Sequence, residues 1–143
     1  MTALEVGAVV AETTYALDRG SLVRYAGASG DFNPIHYRDD VAASVGLPGV
    51  LAHGMLTMGL AVQPVVAWLE SLTEPGRPPG RVTDYQVRFT RPVVVDPEAG
   101  AEVVVSAKLA QLDEEAGTGR VDLTVTAAGQ TVLGKAQVRV AFA

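Results

Sequence analysis

No cysteine occurs in the 143 residues, and histidine appears only twice, as His36 and His53. Without a thiol there is no disulfide framework, no thiolate-ligated zinc or iron–sulfur cluster and no cysteine nucleophile. Two histidines cannot form a three-histidine metal site, which leaves only a mixed site with carboxylates. Basic residues are also scarce: 11 Lys and Arg stand against 16 Asp and Glu, for a net charge of −5. A nucleic-acid binder needs a basic footprint, so that class is set aside. Charged residues make up 19% of the chain and hydrophobic ones 48%, a balance that excludes disorder and favours a buried core. The length fits one domain, residues 1–143, and hardly a second core. The N-terminal stretch has no basic start, and Glu5 and Glu12 interrupt any apolar run, so a cytoplasmic protein is expected.

From Val41 to Leu69 there is no Asp, Glu, Lys or Arg. A membrane span needs about 20 predominantly apolar residues. This run is broken at Gly46-Leu47-Pro48-Gly49, at His53-Gly54 and at Gln63-Pro64, so a helix buried in a soluble fold is expected, and no membrane partner.

Hydrophobic periodicity divides the chain. Residues 5–17 read as extended. Asp18 can cap a short helix over about 19–28, and Asp39 starts another that ends near Gly46–Gly49. Residues 54–70 read as a helix apolar on nearly every face, which Pro64 should kink or divide. Beyond it the period falls to two, in four strands containing Tyr85–Phe89, Val103–Leu109, Val121–Val125 and Val132–Phe142. Turns are expected at Asp96-Pro97, between Asp113 and Gly119, and at Ala128-Gly129-Gln130, with consecutive strands pairing antiparallel. The expected fold class is α+β, one long helix on an antiparallel sheet.

Chemistry concentrates in Ser29-Gly30-Asp31-Phe32-Asn33-Pro34-Ile35-His36. Asn33-Pro34 is a turn initiator that can fold the loop back and bring the Asp31 carboxylate to the His36 imidazole. Such a pair can share one water and move its protons. A structural reading stands beside it, since Gly-Asp and Asn-Pro are ordinary turn dipeptides and Asp31 could serve as a cap. A metal site would need His53 to swing in as a third ligand. A second candidate is Ala52-His53-Gly54-Met55, where a helix N-terminus offers free N–H groups to developing negative charge. There the alternative is that Gly54 permits tight packing and His53 caps the helix. Arg77, Arg81, Arg88 and Arg91 crowd a short stretch and suit either a phosphate-bearing ligand or plain solvation. No phosphate-cradling glycine loop and no nucleophile-elbow serine is present.

The segment Tyr25-Ala-Gly-Ala-Ser-Gly-Asp31-Phe-Asn33-Pro34-Ile-His36, with Ala42 beyond it, resembles the hydratase-2 motif of the MaoC-like dehydratase family. Leu51-Ala-His53-Gly54-Met55-Leu56-Thr57-Met58-Gly59 is similar to that family's second signature. Within the family, the catalytic subunit of the (3R)-hydroxyacyl-ACP dehydratases of mycolic-acid-type synthesis is nearest, followed by the short (R)-specific enoyl-CoA hydratases. The resemblance implies a hot-dog fold and reversible hydration of a 2-enoyl thioester, on CoA or acyl carrier protein, in fatty-acid or polyketide metabolism. Asp31 and His36 match its catalytic pair. Gly54 matches the backbone donor to the thioester carbonyl, with His53 beside it, and Asn33 matches a residue that holds the loop. No metal or redox cofactor is implied, and the expected assembly is a homodimer or a heterodimer with a related hot-dog subunit. Val62 stands where some relatives carry a hydroxyl, and Pro64 makes the helix less regular than the family pattern. Two rival functions remain: a thioesterase, which usually needs a carboxylate on the central helix where 54–69 has none, and a subunit that needs a non-catalytic partner.

Overall fold

The computed structural model describes residues 4–142. β1 covers Val9–Leu17, α1 Arg19–Ser29, α2 Asp39–Ser44 and α3 Gly54–Ser71. They are followed by β2 over Arg81–Phe89, β3 over Ala101–Asp113, β4 over Thr118–Ala127 and β5 over Gln130–Ala141. All strand pairs are antiparallel, in one sheet of order β1-β3-β4-β5-β2.

Local chemistry sets the helix ends. Asp18 Oδ1 accepts the Ser21 N–H at 2.6 Å, and the Ser21 hydroxyl in turn accepts the Asp18 N–H, a reciprocal cap on α1. Gly30, at φ 76°, closes the other end by donating its N–H to the Ala26 carbonyl. α3 is not divided at Pro64: the helix runs on through it, and Pro64 itself is buried. The lost hydrogen bond is outweighed by packing, because Thr57, Ala61, Val65 and Leu69 all press into the core. Only a narrow stripe of α3, including Met55, Gly59, Gln63 and Ala67, faces outward. The helix lies against β1, β2, β3 and β4. Val103, Val105, Ala107 and Leu109 of β3 alternate into the same core as Val121 and Val125 of β4 and Val138 and Val140 of β5.

One strand pairing differs from expectation. β2 pairs with β5, not with β3. Asp96-Pro97 does form the expected turn, with Asp96 and Gly100 exchanging both backbone hydrogen bonds at 3.1 and 3.0 Å, but it lies in a connector that carries the chain across to β3, beside β1 at the opposite edge. That connector is itself anchored. Val93 and Val95 are buried, the Ala52 N–H donates to the Val93 carbonyl at 2.8 Å, and the Val95 N–H donates to the Val50 carbonyl at 2.9 Å. This backbone ladder between residues 50–52 and 93–95 sits beside the site described next. A single long helix laid on a five-stranded antiparallel sheet is the hot-dog arrangement. No helix among the described residues is long and apolar enough to cross a membrane.

Candidate active site

The loop after α1 is shaped by three successive side-chain turns. Ser29 Oγ accepts the Asp31 N–H at 3.2 Å, Asp31 Oδ1 accepts the Asn33 N–H at 3.1 Å, and Asn33 Oδ1 accepts the Ile35 N–H at 3.2 Å. Pro34 then opens a 3₁₀ turn over Pro34–His36, closed by the His36 N–H donating to the Asn33 carbonyl at 3.0 Å. Asn33 is therefore a loop former whose amide oxygen faces its own backbone. The turn brings Asp31 Oδ2 to 3.8 Å from His36 Nε2. The His36 side chain is 10% exposed and that of Asp31 51%, so the pair has one dry and one wet member.

His36 Nδ1 lies 2.7 Å from the Leu51 carbonyl. A carbonyl only accepts, so Nδ1 carries the hydrogen and the Nε2 lone pair of the neutral ring is turned toward Asp31. Leu51 is itself fixed, because its N–H donates to the Ile35 carbonyl at 3.1 Å. His53, 1% exposed, stacks on His36 with ring centroids 3.8 Å apart, and Tyr25 meets its other side edge-on at 4.8 Å. His53 Nε2 lies 3.1 Å from the Asp31 carbonyl, and its Nδ1 is buried without a partner. Burial holds the His53 pKa below the usual histidine value, partly opposed by the bond to the Asp31 backbone. The His53 side chain makes no capping bond to α3.

Gly54 is the first residue of α3, where the N–H groups have no acceptor within the helix. A Cβ at this position would lie 2.9 Å from the Phe89 ring. His36, Gly54, Thr57 and Phe89 line a cavity of about 300 Å³, with Val132 and Leu133 of β5 also in its wall. None of residues 72–80, which join α3 to β2, lines it. Of the four clustered arginines only Arg91 reaches this cavity, with Nη1 3.4 Å from the Thr131 carbonyl, while Arg77 lies beside Glu74. Val62 is half-buried and outside the cavity lining.

Two contributors escaped the sequence reading. Thr57 lines the cavity with its hydroxyl turned back to the His53 carbonyl at 3.5 Å, and its signal was a polar residue three positions after Gly54, hence on the same helix face. The Leu51 carbonyl had no signal, since any residue supplies one. Ligand-type atoms of Asp31, His36 and His53 lie within 4.8 Å of one another. Asp31 Oδ2, His36 Nε2 and the buried His53 Nδ1 are left without a protein hydrogen bond, while His36 Nδ1 and His53 Nε2 face carbonyls. Of these, Asp31 Oδ2 and His36 Nε2 face each other at 3.8 Å, a spacing that suits a shared water.

Fold and site together define a hot-dog protein with an aspartate and a histidine side by side near the N-terminus of its central helix. Residues 4–127 match the MaoC like domain family, and the chain belongs to that family. It is 41% identical over 80 residues to the 3-hydroxyacyl-thioester dehydratase X of Mycobacterium tuberculosis (strain ATCC 25618 / H37Rv), a match covering 56% of this chain and 25% of that protein. Among solved structures, it is similar to a MaoC-like dehydratase with a TM-score of 0.87 and 40% identity, covering 98% of this chain and 41% of the other. It is also similar to the R-hydratase PhaJ1 from Pseudomonas aeruginosa, with a TM-score of 0.72 and 28% identity over 96% of this chain and 81% of that one. The match thus spans about a quarter of the curated relative's length.

Proposed function

We propose that this chain is an (R)-specific hydro-lyase that interconverts 2-enoyl and (3R)-hydroxyacyl thioesters of CoA or a carrier protein. The observation that carries the reading is the convergence of Asp31 Oδ2 and His36 Nε2, 3.8 Å apart, with His36 in the wall of the cavity that Gly54 also lines. Two acceptors at that separation hold a water through both of its O–H bonds. The water oxygen then keeps lone pairs for C3 of the enoyl group. As the O–C3 bond forms, one water proton passes to the pair and the C2–C3 π electrons move toward the thioester carbonyl. The Gly54 N–H, at the positive end of α3, opposes the charge that develops on that oxygen. Protonation of C2 by the pair returns both groups to their starting states. Water has been added across the double bond, and no electrons have left the substrate. Dehydration is the same path reversed.

A second hot-dog subunit, identical or related, belongs to the same proposal. Phe32, Met55 and Phe89, in the catalytic loop, the first turn of α3 and the cavity wall, are each more than half exposed. Hydration of crotonyl-CoA, followed by loss of enoyl-thioester absorbance, tests the reading. Asp31→Asn and His36→Ala should each lower kcat by about 10²–10⁴-fold, the span of general acid–base catalysis, with the protein still folded; Asp31→Asn, at an exposed side chain, should leave the melting temperature close to wild type. A free-thiol assay should show no hydrolysis. Near-wild-type hydration by both variants would overturn the assignment.

A further inference from the structure

The three bonds that shape the catalytic loop all join residues two apart in sequence. They fix the loop's form but not its place over the rest of the molecule. The Leu51 N–H, donated to the Ile35 carbonyl, anchors the loop's far end, and two side-chain tethers do the rest. His36 is held by its Nδ1–H to the Leu51 carbonyl, fifteen residues away. Asp31 is held by His53 Nε2 against its own carbonyl, twenty-two residues away. We infer that His53 is a positioning residue, whose neutral Nε2–H ring sets Asp31 against His36 and sets both against the Gly54 N–H.

Three contacts support this. The Nε2 hydrogen bond restrains the Asp31 backbone, and with it the carboxylate whose Oδ1 already receives the Asn33 N–H. The stacked ring, 3.8 Å from His36 and tilted by 21°, restricts rotation of the catalytic imidazole. The peptide bond to Gly54 makes the same residue the start of α3. The opposite tautomer would set an Nε2 lone pair against the Asp31 carbonyl and bury an unpaired Nδ1–H, so the site selects one state. His53 touches no reacting atom in this scheme. It acts through Asp31 and His36, and its kinetic consequence rests on the function proposed above.

Because the chain has only two histidines, imidazole ¹⁵N–¹H correlation spectra report both rings without ambiguity and without turnover. The wild-type protein at neutral to mildly alkaline pH should show His36 as the Nδ1–H tautomer and His53 as the Nε2–H tautomer. A His53 found as Nδ1–H overturns the inference, whatever the protein's activity. Kinetics supply the second arm. His53→Gln places an amide donor near the Nε2 position, His53→Asn falls short of it, and His53→Phe keeps a stacked ring without a donor. His53→Phe and His53→Asn should lose about 10²-fold in kcat, the scale of a misplacement of about 1 Å, with KM little changed. His53→Gln should recover most of that loss. Wild-type kcat in His53→Phe, or a His53→Gln variant as slow as His53→Asn, overturns the positioning role. If the wild-type protein hydrates no enoyl thioester while the tautomers are as stated, the proposed function fails and the positioning inference stands.

Discussion

Two nearly parallel imidazoles, 3.8 Å apart, carry hydrogens on opposite nitrogens because each faces a different carbonyl, Leu51 for His36 and Asp31 for His53. A buried neutral ring has a consequence for stability. Burial lowers the His53 pKa in the folded chain below the value it has when unfolded, about 6.5 for an ordinary histidine. Below that pH the unfolded chain takes up a proton that the folded one refuses. The stabilisation from His53 is therefore complete above about pH 6.5 and is lost as pH falls toward its folded pKa. Carboxylates with lowered pKa values, such as Asp18, Asp39 and Asp96, lose their contributions at lower pH, since they start from 3.8. Urea midpoints measured from pH 7.5 to 5.5 should fall for the wild-type protein and fall less for His53→Gln. Equal slopes for the two would remove His53 as the source.

At the scale of elements, the β4–β5 connection shows how local chemistry and fold can disagree by one residue. Ala127 pairs with Gln130, leaving Ala128 and Gly129 as a two-residue turn with φ of 48° and 72°. Two positive φ values match the twist of a tight hairpin, for which Asn-Gly is the favoured pair. Gly129 adopts this freely, whereas a Cβ at Ala128 works against it by about 1–2 kcal/mol. Ala128→Asn should therefore stabilise the protein by about 1 kcal/mol, read as a raised urea midpoint with an unchanged slope. No gain would mean that the turn is already relaxed. The turn itself was legible from Ala128-Gly129-Gln130, as were the Asp18 cap and the buried character of α3. Two expectations gave way to tertiary packing. Pro64 sits within α3 because Ala61, Val65 and Leu69 hold the helix to the sheet, and β2 left β3 for β5 because residues 90–100, anchored where Val93 and Val95 are buried, form a connector long enough to cross to β3.

The site of the whole molecule is gathered from residues 31–36, 51–57, 89–93 and 132–133. The first two stretches were legible because their residue types and spacing, Asp31 to His36 and His53-Gly54, form recognisable motifs. The others were not, because a connector and the start of β5 contribute walls through topology. What locks these pieces together is partly a single arginine. Arg19, first in α1, donates from Nε to the carbonyl of fully buried Val95 at 2.6 Å, and its two terminal nitrogens grip Asp39, first in α2, at 2.9 and 3.1 Å. The two bonds are unequal in consequence. Asp39 is 65% exposed, so water and salt replace the ion pair readily. The Val95 carbonyl belongs to a buried residue, and losing a charged donor there costs about 1–3 kcal/mol. Val95 also donates its own N–H to Val50, next to the Leu51 whose carbonyl fixes the His36 tautomer. Arg19→Met, which keeps the apolar stem, should therefore lower both the urea midpoint and kcat, while Asp39→Asn leaves kcat near wild type and shifts the midpoint less. If the two variants behave alike, the surface ion pair, and not the buried carbonyl, is what ties the helices to the connector.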